Sequence, residues 1–163
     1  MAFIVEDGTG VVDANALISV SDFDDYLLDR NEPNTFTVEE KQAAIVSASV
    51  DFIDTFFTFA GTAINPLQGL QLPTDDVPLN AKIKRAACMA ALLDTKGRLF
   101  VDPTDLQQKT VIETEEKLDV LSEKVVYSSD GGGYTTKYPT TAIDRLLKPY
   151  LVSGGSMGDL VRN

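Results

Sequence analysis

The chain has 163 residues, 44% of them apolar, with 14 Lys and Arg against 25 Asp and Glu and a formal net charge of −11. That size and apolar content suit one domain with a real core and exclude a disordered chain, and no apolar run approaches the ~20 residues a bilayer span needs. There is no histidine and only one cysteine, Cys88, which removes the commonest general base, the imidazole ligands of most zinc and iron sites, and any internal disulfide.

Residues 1 to 20 read as extended: Phe3, Val5, Val11, Val12, Ile18 and Val20 alternate loosely with turns at Asp7-Gly8 and Thr9-Gly10. The first residues, Met1 to Asp7, carry no basic n-region and no cleavable signal pattern, so the chain is expected in the cytosol at synthesis. Ser19 or Ser21 then caps a short helix whose apolar side is Phe23, Tyr26 and Leu27, with acidic residues in its first turn and Asn31 and Pro33 at its end. Thr37-Val38-Glu39-Glu40 is a capping box opening a second helix that runs to about Phe57. Its apolar residues form two adjacent stripes, Ile45/Ala48/Phe52/Phe56 and Val46/Val50/Ile53/Phe57. That arc is wider than one packing face needs, which suits a helix sandwiched in a bundle or one that partly meets another subunit.

Gly61, Pro66, Gly69, Pro73 and Pro78 predict a turn or short hairpin over residues 58 to 78, with Pro78 in the first turn of a third helix. That helix reaches about Lys96, with Gly97 as its C-terminal cap. Ile83, Ala86, Ala87, Ala90 and Ala91 let another helix approach closely, and Cys88 among them reads as a buried, inert thiol. From Arg98 to about Thr140 no helical period is found. Ile112, Leu118, Val120 and Val126 alternate with polar residues, as in a strand pair, and Asp130-Gly131-Gly132-Gly133 is a turn after it. A fourth helix, Thr141 to Leu151, carries Ile143, Leu146, Leu147 and Tyr150. The expected architecture is mainly α. A bundle of about four helices fills 1–152 and carries a projecting β-arm over about 110–138, and a polar, Gly-rich tail follows at 153–163.

The charge is unevenly spread. Residues 1 to 60 hold 12 acidic side chains against only Arg30 and Lys41, while the rest of the chain is nearly neutral, with 13 acidic and 12 basic groups. Nucleic acid is held mainly by neutralising phosphates, so this balance argues against tight, general binding of DNA. The best candidate for phosphate contact is Lys82, Arg85 and Lys96, which share one helical face with Met89 between them. No aromatic platform is interleaved with these cations, there is no Trp, and most Phe residues belong to the second-helix pattern. Asp22, Asp24 and Asp25 could suggest a metal or acid/base cluster, but acids at a helix start are favoured by the dipole alone. Asp130 to Gly133 lacks the Lys-Ser/Thr of a phosphate-binding loop. The chain is accordingly expected not to be an enzyme and to hold no cofactor or metal.

Several segments, in order along the chain, carry a resemblance. They are Ile4 to Gly10 with Asp13 to Leu27, then Lys41 to Asp54, Phe59-Ala60-Gly61, Gln68 to Pro73, Val77 to Ala87, and Ala142 to Leu151. Together they resemble the small head-to-tail connector (adaptor) proteins of tailed bacteriophages, a family often labelled "DnaT-like single-stranded DNA-binding". The chain departs from that pattern at Leu72 and Thr74, where the family often places Trp and Arg around the turn proline. The resemblance implies a virion protein of the neck, assembled in the host cytoplasm, without catalytic residues and without a membrane. It implies a homo-oligomeric ring of about twelve copies under the portal protein, with viral DNA passing through its lumen. The ring would join the portal to the tail or to a stopper or terminator connector, and Pro149, Tyr150, Leu151, Leu160, Val161 and Arg162 would dock on the portal. A Gly-rich spacer before Leu160-Val161-Arg162 suits a segment that folds on binding. The alternative is a DnaT-like single-stranded DNA-binding protein, with Lys82, Arg85 and Lys96 as its contacts.

Overall fold

The computed structural model describes residues 2–100, 111–116, 123–127 and 140–152. Two units are distinguished: Met1–Phe100 with Tyr138–Asn163, and Val101–Lys137. The described part of the first is helical: α1 (Val20–Asp29), α2 (Val38–Val46), a π-helical segment (Ser47–Asp54), α3 (Ala81–Thr95) and α4 (Thr141–Leu147). The second contains an antiparallel pair, β1 (Val111–Glu116) and β2 (Glu123–Tyr127), with Glu113 opposite Val126 and an irregularity between Val111 and Glu113. This is the expected mainly α, four-helix architecture with a strand pair. Leu118, Val120, the Asp130 to Gly133 turn and the 153–163 tail lie outside the described residues.

Local chemistry accounts for the helix ends. Ser19, not Ser21, caps α1: its hydroxyl accepts from the Asp22 amide at 3.0 Å while the Asp22 carboxylate accepts from the Ser19 amide at 2.9 Å. Thr37 and Glu40 form the same reciprocal box on α2. Pro78 lies outside the third helix, contrary to expectation. Asn80 is the cap, accepting from the Lys82 and Ile83 amides at 3.0 and 3.2 Å, and an Asn carbonyl is the better partner for those orphan donors. At the far end Gly97 sits just past the cap with φ +63°, its amide donating to the Asp94 carbonyl and that of Arg98 to the Leu93 carbonyl, the two hydrogen bonds of a Schellman stop. The fourth helix is shorter than its apolar pattern. α4 ends at Leu147, and Lys148–Tyr150 tightens into a 3₁₀ turn because Pro149 has no amide to continue the ladder.

The second helix departs most from expectation. After Val46 it unwinds into eight π residues. In that geometry residues five apart share a face, and the pairs Ala48/Ile53 and Phe52/Phe57 are buried, with Ser49 beside them. The two α-spaced stripes are therefore not both inward: Phe56 is 36% exposed, and Val46 and Val50 are only half-buried. The Ser49 hydroxyl, fully buried, accepts the Leu17 amide at 3.0 Å. α3 touches α1, α2, the π segment and α4, and its buried Ala86, Ala87, Ala90 and Ala91 allow that close approach.

No regular strand forms in residues 1 to 20; Val5 pairs singly with Ala16 and Val12 with Gln68. A buried carboxylate organises this segment instead. Glu6, 1% exposed, accepts from the amides of Gly8, Gly10 and Val11 at 2.9, 2.9 and 2.8 Å. Positive φ at Gly8 and Gly10 turns those amides inward. Residues 58 to 78 form the expected turn, closed by a single antiparallel bridge of Ala63 with Thr74 rather than by regular strands. The Gln68 side-chain amide donates to the carbonyls of Leu70, Gln71 and Pro73, and its oxygen accepts from the Asn65 amide. Glu6→Gln should therefore lower stability by about 2 kcal/mol, since it turns an amide nitrogen toward backbone donors and removes charge-assisted bonds. Chemical denaturation would read this as a lower midpoint at unchanged slope, while exposed Asp7→Asn should shift the midpoint far less.

Candidate nucleic-acid interface

The three cations nominated for phosphate contact do not form an open basic strip. Lys82 and Arg85 are exposed on the first turns of α3. Lys96 donates from Nζ to Glu32 Oε2 at 2.9 Å and so ties the end of α3 to the loop after α1. Met89, between them in sequence, is half-buried against the core. Neighbouring cations are also engaged: Lys84 Nζ is 3.6 Å from Asp22 Oδ2, and the Arg30 guanidinium lies 4.4 Å over the Tyr26 ring. Lys41, buried on α2, donates to Asp24 at 2.6 Å.

Between α1 and α3 runs an open cleft of about 510 Å³, lined on the α1 side by Asp22, Asp25 and Asp29 and on the α3 side by Lys84, Arg85 and Cys88. Burial works against ionisation of Asp22, but the amide and hydroxyl of Ser19, with Lys84 beyond them, outweigh it and hold the carboxyl below its ordinary value. Burial also raises the Tyr26 phenol. Burial, joined by the Asp22 charge, pushes the Cys88 thiol up to about 12, so this thiol stays protonated and unreactive at neutral pH, as its helix position implied. The cleft is a mixed-charge surface that neutralises itself. A phosphate entering it would compete with carboxylates already in place and gain little.

Two of the three acids at the α1 start have partners within the domain. Asp22 serves the cap and Lys84, and Asp24 bonds Lys41 and the Asn34 amide. Among the described residues no group of three or more His, Cys, Asp or Glu is placed to hold a metal, and no helix is long and apolar enough to cross a membrane. Of the portal-docking set, Pro149 is exposed, while Tyr150 and Leu151 are half-buried against the core. The backbone there is committed within the domain: Ala60 donates to the Tyr150 carbonyl and Val152 to the Thr58 carbonyl, both at 3.0 Å. Leu160, Val161 and Arg162 lie outside the described residues.

Two features escape sequence reasoning. Gln71 clamps the end of the π segment, its backbone amide donating to Asp54 Oδ1 at 2.6 Å and its side chain to the Asp54 and Phe57 carbonyls. Burial raises Asp54, partly offset by that amide. The second feature is a surface patch. Exposed Phe56 and Phe100 flank buried Phe52, with ring centroids 5.7 and 6.1 Å from it. Helical periodicity gives no warning of it, because it assigns Phe56 to an inward stripe.

A family model described as "Putative DnaT-like ssDNA binding protein" matches residues 1–163, the whole chain. The chain belongs to that family. Comparison with curated proteins and with solved structures returned no match. The DnaT-like description corresponds to the strand-binding alternative and to the label carried by the resemblance above; it names neither a virion nor a portal. In this DnaT-like chain the surface chemistry around Asp94 gives a pH test. Burial raises the Asp94 carboxyl, the Ser47 hydroxyl at 3.0 Å opposes the rise, and the Asp51 charge adds to it. A carboxyl with a raised folded-state pKa holds its proton more tightly folded than unfolded, so its ionisation weakens the fold at neutral pH and the penalty fades as pH falls. Asp94→Asn should raise the unfolding free energy read from urea titration at pH 7 by less than about 1 kcal/mol, the scale of a screened carboxylate, and lose that gain toward pH 4.

Proposed function

We propose that this chain is a non-catalytic assembly protein, a head-to-tail connector whose copies form a ring between the portal and the next neck or tail component. DNA passes through that ring without being captured. One observation carries the reading: of the cations nominated to hold phosphate, Lys96 is paired with Glu32 and Arg85 lines a cleft with Asp22, Asp25 and Asp29, leaving Lys82 apart, in a chain of net charge −11. The ordered resemblance along nearly the whole chain supplies the partner class; the family match itself names single-stranded DNA binding and no connector. A weak average attraction to DNA is what a conduit requires, because a phosphate-neutralising lining would arrest the strand it must pass.

Single-stranded DNA binding is the second reading, favoured by the family's description. Fluorescence anisotropy with a labelled single-stranded oligonucleotide at about 0.15 M salt separates the two. The connector reading expects no saturable binding below about 10 µM, and less than a twofold change from Lys82→Glu with Arg85→Glu. Electron microscopy should then show the chain as a ring on portal-bearing heads. Submicromolar binding that weakens tenfold or more in the charge-reversed variant, without rings on heads, would instead establish the strand-binder.

A further inference from the structure

The Phe56–Phe100 patch combines three features that converge on a docking role. The π winding brings Phe56 out of the core pattern, and Phe100 stands 52% exposed at the other side of Phe52. Asp51 lies five residues before Phe56, one π turn away on the same face, and is exposed. Asp51 and Asp94 sit close enough for one charge to act on the other, and neither belongs to an ion pair among the described residues. Aromatic side chains beside uncompensated carboxylates fit an occupant with aliphatic side chains and a cation next to them.

The chain itself supplies such an occupant. Val152, the last described residue, is bonded to Thr58, two residues beyond Phe56. Ser153-Gly154-Gly155-Ser156-Met157-Gly158-Asp159 then leads to Leu160-Val161-Arg162. Those seven residues span up to ~24 Å, more than enough to return to a surface beside their own starting point, and tethering gives an effective concentration on the order of millimolar. We propose that the chain's own C-terminal segment docks on this patch in the free protein, with Leu160 and Val161 against Phe56 and Phe100 and the Arg162 guanidinium against Asp51. The patch thus stores the segment until a partner displaces it. This shares with the proposed function only the reading of the tail as a docking segment.

The test uses the full chain carrying a nitroxide on Ser156→Cys; Cys88 is buried and its thiol protonated, so it does not compete for the label. Paramagnetic broadening should reach the amides of residues 54–57 and 100 in a concentration-independent way. It should fall at least threefold in Phe56→Ser and in Asp51→Arg, and return on pairing Asp51→Arg with Arg162→Asp. Phe56 and Asp51 are exposed, and an unchanged spectrum of the α3 core confirms that the variants fold. Broadening no stronger there than on α1, or no rescue by the paired reversal, overturns the proposal. Broadening that appears only between a labelled copy and a separate isotope-enriched copy also overturns it and assigns the patch to a second copy. Neither result touches ring formation on heads, which is read separately.

Discussion

A buried carboxylate bonded to backbone amides, with no ion pair among the described residues, organises the start of this molecule. Glu6 is buried and satisfied by three backbone amides, so the loop it gathers has one geometry. With that loop set, Gly10 offers its carbonyl to Asn65 and Val11 its carbonyl to Gly69. Gly69 then lies directly on the Ala14 backbone, where no Cβ would fit. From there Gln68 knots the turn and Gln71 grips the last π residues. The exposure of Phe56 is thus linked, through consecutive polar contacts, to a glutamate 50 positions earlier. Buried ionised groups are costly unless fully bonded, and here the bonding is complete.

The helices were legible because their signals are local. Thr37 and Glu40 are three residues apart and cap whatever follows them, and the alanines of α3 declare a close-packed helix without knowledge of the partner. What was not legible is polar: side chains that bond backbone groups, some nearby and some far along the chain. Glu6, Asn15, Ser49, Gln68 and Gln71 resemble surface residues by type, and only the fold reveals that they bond backbone groups up to 32 positions away. The π segment was hidden for a related reason: its sequence satisfies an α pattern, and its winding is chosen by bonds to Leu17, Asp94 and Gln71.

The candidate site was legible in composition more than in position. A net charge of −11 and the pairing of Lys41, Lys84 and Lys96 with Asp24, Asp22 and Glu32 both weigh against phosphate at these cations. Yet the helical wheel joined Lys96 to Lys82 and Arg85 as one strip, whereas the Schellman stop at Gly97 turns the chain beside Lys96 and leaves that lysine on Glu32.

The same charge pattern bears on assembly. Each pair across α1 and α3 is partly exposed, so each contributes little to stability and is weakened by salt. Their larger effect is on what the surface rejects. A polyanion meets carboxylates beside Lys84 and Lys96, while a protein partner with its own Lys or Arg meets Asp51 and Asp94, which have no ion pair among the described residues. Such a surface would discriminate by repulsion as well as attraction, and under the proposed function it would favour basic, apolar protein segments over nucleic acid. In the proposed connector, which would hold proteins while DNA moves past, that asymmetry would be the relevant property.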